Sequence, residues 1–362
     1  MTKYFFAIIS MLTLIISLVG CNEDVNLNAD FEETAIIYGL LDQSENIHFI
    51  KINRAFIGPG SSIDIAKIPD SSYFKNVEAT ITEQGGLNRT WNLKDTLVEN
   101  KDQNGIFYAP EQKLYYFDTK TTPLNAACTY KLTVTIDKGL SSEFIVTGQT
   151  QLVSNLSLQS SSTFKLALVD NSNGYRASNL NINSGTAKTV NASFNMIVNE
   201  FIGSNYDSIF IPWNINEIDA GTSTNMSINF NGQTFYEVIK NGVTNNSAIT
   251  KRNLKALKVI LTGGSSDLHN YILVNKPSSS ISQSKPTFTN LTINSSKNKV
   301  VGLFSARQSI TYYIPFQKTG DSYFRLLDTK STEELCSGTY TTYDYKFCSQ
   351  HTSDISKPYY CN

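Results

Sequence analysis

The chain has 362 residues, and its 30 lysine and arginine residues nearly balance 31 aspartate and glutamate residues, for a formal net charge of −1. This balance argues against nucleic acid as a partner, because no basic excess is present to neutralise a phosphate backbone. A hydrophobic fraction of 40% with 11% aromatic residues excludes a disordered chain, and the length suggests two domains of roughly 100–200 residues each.

The amino terminus has the layout of a lipoprotein signal. Lys3 precedes an apolar run over residues 4–19, which is typical of a secretory leader and short for a membrane-spanning helix. Residues 18–21 form a bacterial lipobox, in which the small Gly20 admits a peptidase and the Cys21 thiol accepts a diacylglycerol. We therefore predict a signal peptide over 1–20 and lipidation at Cys21, where several acyl chains would anchor the protein stably. The alternatives are a plain secretory peptide with an incidental cysteine and an uncleaved N-terminal helix.

Residues 21–33 are predicted to be a lipidated tether, since they are mostly polar. The acidic pair Glu23-Asp24 directly follows the lipid cysteine and resembles the surface-export signal of Bacteroidota lipoproteins. We expect anchoring in the outer membrane with the protein on the extracellular face. The alternative to an export signal is that this acidic stretch belongs to an ordinary solvated linker.

Residues 34–153 carry a β pattern throughout. Apolar and polar residues alternate over 77–82 and 130–137, as in half-buried strands, and Cys128 shares the inward parity of the second run. Further strands are predicted at 35–41, 47–56, 91–98, 114–117 and 143–150, with glycine-containing turns between them. About seven short strands over this length predict an immunoglobulin-like β-sandwich.

Residues 154–362 are predicted to form a β-rich second domain with short helical insertions and a cysteine-containing tail. Strands are expected at 164–169, 192–198, 208–213, 226–230, 257–262 and 300–305. Residues 234–237 have capping-box spacing and open a helix that Gly242 can end, and Ser266-Asp267 opens a second helix stopped by Pro277.

Four cysteines follow Cys21, and an exported protein can keep them as disulfides. Cys336 and Cys348 flank a turn-rich segment and are the favoured pair, whereas Cys361 could reach Cys128 or stay free. Zinc is disfavoured because the spacing is wide and only His351 lies nearby.

Several segments together resemble a known family. Residues 35–42 followed by 50–54, the 77–83 strand, 267–271 and the closing stretch from 289 to 306 are similar to a family of Bacteroidota lipoproteins known as domain of unknown function 4249. The resemblance covers nearly the whole mature chain, with departures at 299–302, where paired glycines are usual, and in the tail after Leu335. It implies a surface accessory role beside a TonB-dependent outer-membrane transporter, although fold and gene neighbourhood do not by themselves define function.

The motifs of common enzyme classes are missing from the sequence. No G-x-S-x-G elbow is present, and residues 263–267 are better explained as a strand-to-helix turn with an N-cap. The three histidines are far apart, and His48 has the parity of a core or edge position. Glu333-Glu334 are interpreted as a solvated turn, and 102–105 lacks the later acids of a calcium loop. We predict no enzymatic activity, no metal and no cofactor.

Aromatic residues are the remaining candidates for a binding site. Neighbouring aromatics on a strand point to opposite faces, and exposed tyrosine and tryptophan are favoured where sugars or proteins dock. Trp213, Tyr313, Tyr343 and Tyr345 are therefore candidate ligand- or partner-binding residues, with burial in the core as the alternative. The sequence favours a non-enzymatic binding or accessory protein. A structural or adhesive surface protein is the first alternative, and a hydrolase the second.

Overall fold

The computed structural model describes residues 33–55, 62–98, 112–159, 165–219, 223–276, 287–318, 321–340 and 345–361. The predicted signal peptide, Cys21 and nearly all of the predicted tether lie outside these ranges. Within them, no helix has the length and apolar character needed to cross a membrane. The architecture is mostly β, as predicted.

The described residues of the first half of the chain form eight strands and two short helices. The helices are α1 (Ser62–Ala66) and α2 (Pro69–Ser72). The strands are β1 (Thr34–Asp42), β2 (Ile47–Arg54), β3 (Val77–Gln84), β4 (Thr90–Asn92), β5 (Lys94–Leu97), β6 (Lys113–Asp118), β7 (Thr129–Ile136) and β8 (Phe144–Gln151). Burial alternates residue by residue along β7, which is the direct consequence of its alternating sequence.

These strands form an immunoglobulin-like sandwich, which confirms the prediction. One sheet has the neighbour order β1-β2-β6-β5 and the other β8-β7-β3-β4, which is the A-B-E-D and G-F-C-C′ order of that fold. Both sheets bury aliphatic side chains in one shared core, for example Ile37 and Ile52 from the first sheet and Leu132 and Val146 from the second.

Among the described residues, the second half adds ten strands and three helices. The helices are α3 (Gly232–Gly242), α4 (Ser266–Asn275) and α5 (Thr329–Ser337). The strands are β9 (Ser157–Leu158), β10 (Ala177–Asn183), β11 (Thr189–Ile202), β12 (Asn205–Asp219), β13 (Asn225–Asn231), β14 (Lys251–Gly264), β15 (Leu291–Ile293), β16 (Lys299–Pro315), β17 (Gln317–Lys318) and β18 (Asp321–Arg325). A 3₁₀ helix, Thr352–Asp354, lies in the C-terminal tail.

Strand β16 belongs to both halves of the molecule. Its first part pairs in parallel with β1, beginning at Thr34 and Lys299, and its second part pairs antiparallel with β14, ending at Ala256 and Pro315. The result is one eight-stranded sheet in the order β12-β11-β14-β16-β1-β2-β6-β5. Two buried clusters lie along this sheet. Residues up to Leu152 form the first cluster, and residues from Val153 onward form the second. Three later residues, Leu291, Phe304 and Ala306, belong to the first cluster.

The structure corrects several local expectations. Helix α3 begins earlier than the capping-box spacing indicated, because the Asn231 side chain accepts the Gln233 N–H and acts as the N-cap. Glu333 and Glu334 lie in helix α5, not in a turn. The strand expected at 164–169 is reduced, in the described part of that segment, to isolated bridges at Leu166 and Val169. The run expected at 91–98 is split into β4 and β5, which belong to different sheets.

Candidate functional site

The predicted aromatic binding residues occupy different environments. Trp213 is only 7% exposed and contacts the rings of Phe194 and Phe230 edge-on, so it belongs to the core. Tyr313 is 63% exposed on the outer face of β16, where the Lys258 ammonium lies 5.7 Å from its ring centroid. Tyr345 is half-buried against the second cluster, and Tyr343 lies outside the described residues. The structure therefore does not bring Trp213, Tyr313 and Tyr345 together at one site.

The disulfide pairing differs from the favoured one. Cys348 is bonded to Cys361, with a Cα–Cα distance of 5.0 Å, whereas Cys128 and Cys336 are free and buried. Backbone hydrogen bonds explain the pairing, because the Ser349 N–H donates to Tyr359 O and the Cys361 N–H to Ser349 O, which aligns the two segments. Burial raises the pKa of the Cys336 thiol to about 12, so it is protonated and unreactive at neutral pH.

The polar groups buried in the sandwich hold the fold together. His48 stacks on Phe117 and hydrogen-bonds Thr119, and burial lowers the pKa of its imidazole, which agrees with the predicted core position. The Glu83 carboxylate pairs with Arg89 and accepts a hydrogen bond from the Tyr130 hydroxyl. Neither group faces a described cavity.

The largest described cleft lies at the C-terminal tail, and we call it the C-terminal cleft. Its volume is about 930 Å³, which falls within the range of roughly 300–1,000 Å³ typical of ligand pockets. Its lining residues are Gly203, Asn245, Ser247, Thr250, Lys251, Cys336, Ser337, Lys346, Phe347, Cys348, Pro358, Tyr359, Tyr360 and Cys361.

Arg252 lies outside the lining of the C-terminal cleft, but it joins the segments that form the cleft. This side chain is 1% exposed, and its guanidinium donates to Glu200 Oε1 at 2.7 Å, to the Thr244 carbonyl at 2.7 Å and to the Tyr345 carbonyl at 2.8 Å. Its backbone pairs with the tail, since its N–H donates to Lys346 O and its carbonyl accepts from Cys348 N–H. One buried cation thus joins β11, the loop after α3 and the C-terminal tail.

A second buried ion pair holds the end of the tail. The Arg325 guanidinium pairs with the Asp354 carboxylate. Asp354 Oδ2 also accepts a hydrogen bond from the Ser349 hydroxyl, with 2.7 Å between the two oxygens. Together with the Cys348–Cys361 disulfide, this pair orders the segment that carries Tyr359 and Tyr360. The cleft wall is consequently pre-formed, which lowers the entropic cost of binding.

The chemistry of the C-terminal cleft suits binding of a ligand with acceptor groups and an apolar face. Lys251 and Lys346 contribute ammonium groups, and no carboxylate side chain is among the described lining residues. The Lys251 ammonium lies 5.4 Å from the Phe201 ring centroid, and Lys346 donates to the carbonyls of Ser247 and Ile249. Burial raises the pKa of Tyr359 to about 12, so its hydroxyl stays protonated at neutral pH and can donate a hydrogen bond.

The sequence drew attention to this tail through its cysteines and tyrosines, but it did not identify Arg252. The available signal was a single arginine at the start of a long apolar strand pattern. The role of this arginine depends on carbonyls of the preceding loop and of the distant C-terminal tail. Across the described ranges, no group of three or more histidine, cysteine or acidic residues is arranged to hold a metal ion.

Comparisons with known proteins identify no relative that assigns a function. No family model matches the chain, and no curated protein matches it. Among solved structures, the chain is similar to a DUF4785 family protein from Legionella pneumophila, with 11% identity and a TM-score of 0.17. That match covers 62% of this chain and 49% of the other, so this chain spans about half of its length. A similarity of this size carries no argument about fold or function.

Proposed function

We propose that this protein is a non-enzymatic binding lipoprotein, anchored in the outer membrane through Cys21, exposed on the cell surface and acting as an accessory to a TonB-dependent transporter. The observation that carries the binding role is the pre-formed C-terminal cleft, whose two lysines, aromatic rings and hydroxyls can contact the transporter. The lipobox supports the anchor, and the resemblance to domain of unknown function 4249 supports the transporter as partner.

A structural or adhesive surface protein is the second candidate. It is favoured by the eight-stranded sheet that runs through both halves, because a continuous hydrogen-bonded sheet resists bending between them. In that role, the sandwich would serve as a spacer that holds the second half away from the membrane.

Two lysines on β14 make a matched test of the binding role. Lys251 lies in the C-terminal cleft, whereas Lys258 lies outside it, and both are half-buried with an ammonium over an aromatic ring. We expect a transporter to co-purify from native membranes with the wild type and with Lys258→Glu, and its recovery to fall at least about tenfold with Lys251→Glu. Equal recovery with both variants would refute the cleft as the binding site. The adhesive role would be favoured if no transporter co-purified and deletion of the protein reduced cell adhesion.

The membrane anchor can be tested separately. We expect radiolabelled palmitate to be incorporated into the wild type and not into Cys21→Ala, because acylation requires that thiol. Protease treatment of intact cells should degrade the wild-type protein if it faces outward. Equal labelling of both forms would exclude the lipid anchor.

A further inference from the structure

A second cavity lies where the two halves of the molecule meet, and we call it the seam crevice. Its volume is about 450 Å³. The sandwich contributes Gln149 and Gln151 at the end of β8, and the second half contributes Thr186, Lys188 and the start of α4. Ligand sites in proteins occur preferentially at such junctions between structural units.

The wall formed by α4 is held in place by partly buried hydrogen bonds. Ser265 donates its backbone N–H to Ala306 O at 3.0 Å, and its hydroxyl lies 2.5 Å from that of Ser305. The Asn290 side chain donates to Asp267 Oδ2 at 3.0 Å and also bonds both the N–H and the carbonyl of Phe304. This wall is therefore rigid before any ligand arrives.

The opposite wall is held in a similar way. The Thr186 N–H donates to Ser154 O at 3.0 Å, and the Thr186 hydroxyl oxygen accepts from the Ser154 N–H at 2.9 Å. The Lys188 N–H donates to Gly264 O at 2.8 Å, which joins this loop to the strand leading into α4. After accepting from Ser154, the Thr186 hydroxyl can still donate its own hydrogen.

The chemistry of the seam crevice differs from that of the C-terminal cleft. The described lining includes one cation, Lys188, and one carboxylate, Asp267. The other polar side chains that line the crevice are uncharged hydroxyls and amides. Leu152 and Val153 add an apolar surface, and no aromatic ring is among the described lining residues. A ligand that matches this lining is neutral, carries many hydroxyls and presents C–H groups on one face.

We propose that the seam crevice binds a neutral saccharide of about two sugar units, with Gln149 and Gln151 hydrogen-bonding its hydroxyls. The inference does not rest on the proposed function, because it concerns different residues and a ligand without charge. Gln149 and Gln151 are both exposed on β8 with inward-facing neighbours, so their side chains can be removed without disturbing the core.

Saturation-transfer NMR with maltose, cellobiose and lactose tests the proposal on the full mature chain. We expect transfer to the ring protons of at least one disaccharide, and an affinity at least about tenfold weaker in Gln149→Ala/Gln151→Ala, because two amide hydrogen bonds are lost. Asn229→Ala is the matched control, since it removes an exposed amide from β13, outside the crevice, and should leave the affinity unchanged. Circular dichroism and the thermal midpoint establish that both variants remain folded. The proposal would be overturned if no saturation transfer reached any of the three sugars, or if Gln149→Ala/Gln151→Ala and Asn229→Ala bound with equal affinity.

Discussion

The two halves of this protein are stabilised in different ways. The sandwich core consists of side chains from strands of simple alternating sequence, with Glu83–Arg89 as its buried ion pair among the described residues. The C-terminal tail is instead joined to the second half by the buried pairs Arg252–Glu200 and Arg325–Asp354 and by the Cys348–Cys361 disulfide. Periodic burial stabilises regular strands, whereas an irregular tail lacks a strand ladder of its own and depends on polar and covalent links.

This difference has a consequence for function. The irregular tail lines the C-terminal cleft, and its shape depends on a few specific interactions that can be removed one at a time. In the sandwich, by contrast, many inward side chains pack together in one shared core. Removing single interactions from each region therefore tests this contrast.

The largest effect is expected from Arg252→Met. The substitution leaves the Glu200 carboxylate and the carbonyls of Thr244 and Tyr345 without their donor, and breaking a buried pair typically costs roughly 3–5 kcal/mol. Urea unfolding measures the free-energy change. Lys330→Ala, which breaks an exposed pair with Glu333, is the control and should cost at most about 1 kcal/mol. Similar losses in both variants would show that Arg252 does not have the structural role assigned to it.

The next effect is expected in the sandwich, from Leu132→Ala on β7. The side chain is fully buried, and truncation of a core leucine costs about 3 kcal/mol through lost burial and the cavity it leaves. The neighbouring Thr133 faces away from that core, so Thr133→Ala should change the free energy of unfolding by less than about 1 kcal/mol. Equal effects at both positions would contradict the alternation that defines this strand.

A somewhat smaller effect is expected from Cys348→Ser/Cys361→Ser. A disulfide that closes a loop with a sequence separation of 13 contributes about 2–3 kcal/mol by constraining the unfolded chain. Dithiothreitol should lower the urea midpoint of the wild type to that of the double variant and leave the variant unchanged. Peptide mapping under non-reducing conditions should recover the link between Cys348 and Cys361. Recovery of a Cys336–Cys348 link would contradict the pairing seen here.

The smallest effect is a change in acid sensitivity at Glu83. The Arg89 hydrogen bonds hold the pKa of this carboxyl below its usual range, so its stabilisation is present above the unfolded pKa of about 4.3 and is lost as the pH falls through the folded value. We expect Glu83→Gln to lose less stability than the wild type between about pH 5 and pH 3. Glu78→Gln, which breaks an exposed pair with Lys138, is the control and should follow the wild type. Urea midpoints across this pH range provide the measurement.

The sandwich was largely predictable because apolar and polar residues alternate along its strands, and this pattern is visible over a few neighbouring positions. The predicted segments 77–82 and 130–137 correspond to β3 and β7, and the inward parity of Cys128 agrees with its burial beside Glu83. The division of 91–98 into two strands was not predictable, because both parts have β-like composition and only the sheet each one joins separates them.

In the candidate sites, local pattern was a poorer guide. As an aromatic residue, Trp213 was a candidate for an exposed binding surface. The structure instead encloses it between the rings of Phe194 and Phe230, because its place in the alternation of β12 directs its side chain inward. The favoured Cys336–Cys348 pair relied on proximity in sequence. Instead, α5 buries Cys336, and the isolated β-bridge between Ser349 and Tyr360 aligns Cys348 with Cys361.

The sequence by itself determined the β class, the immunoglobulin-like first half and the low-charge polar surface, because alternation and composition act over a few neighbouring residues. Only the tertiary structure decided that β16 completes both halves, that Arg252 supports the C-terminal cleft and that a second crevice lies at the seam. These features arise from contacts between residues far apart in the chain, whose geometry depends on how the whole sheet closes.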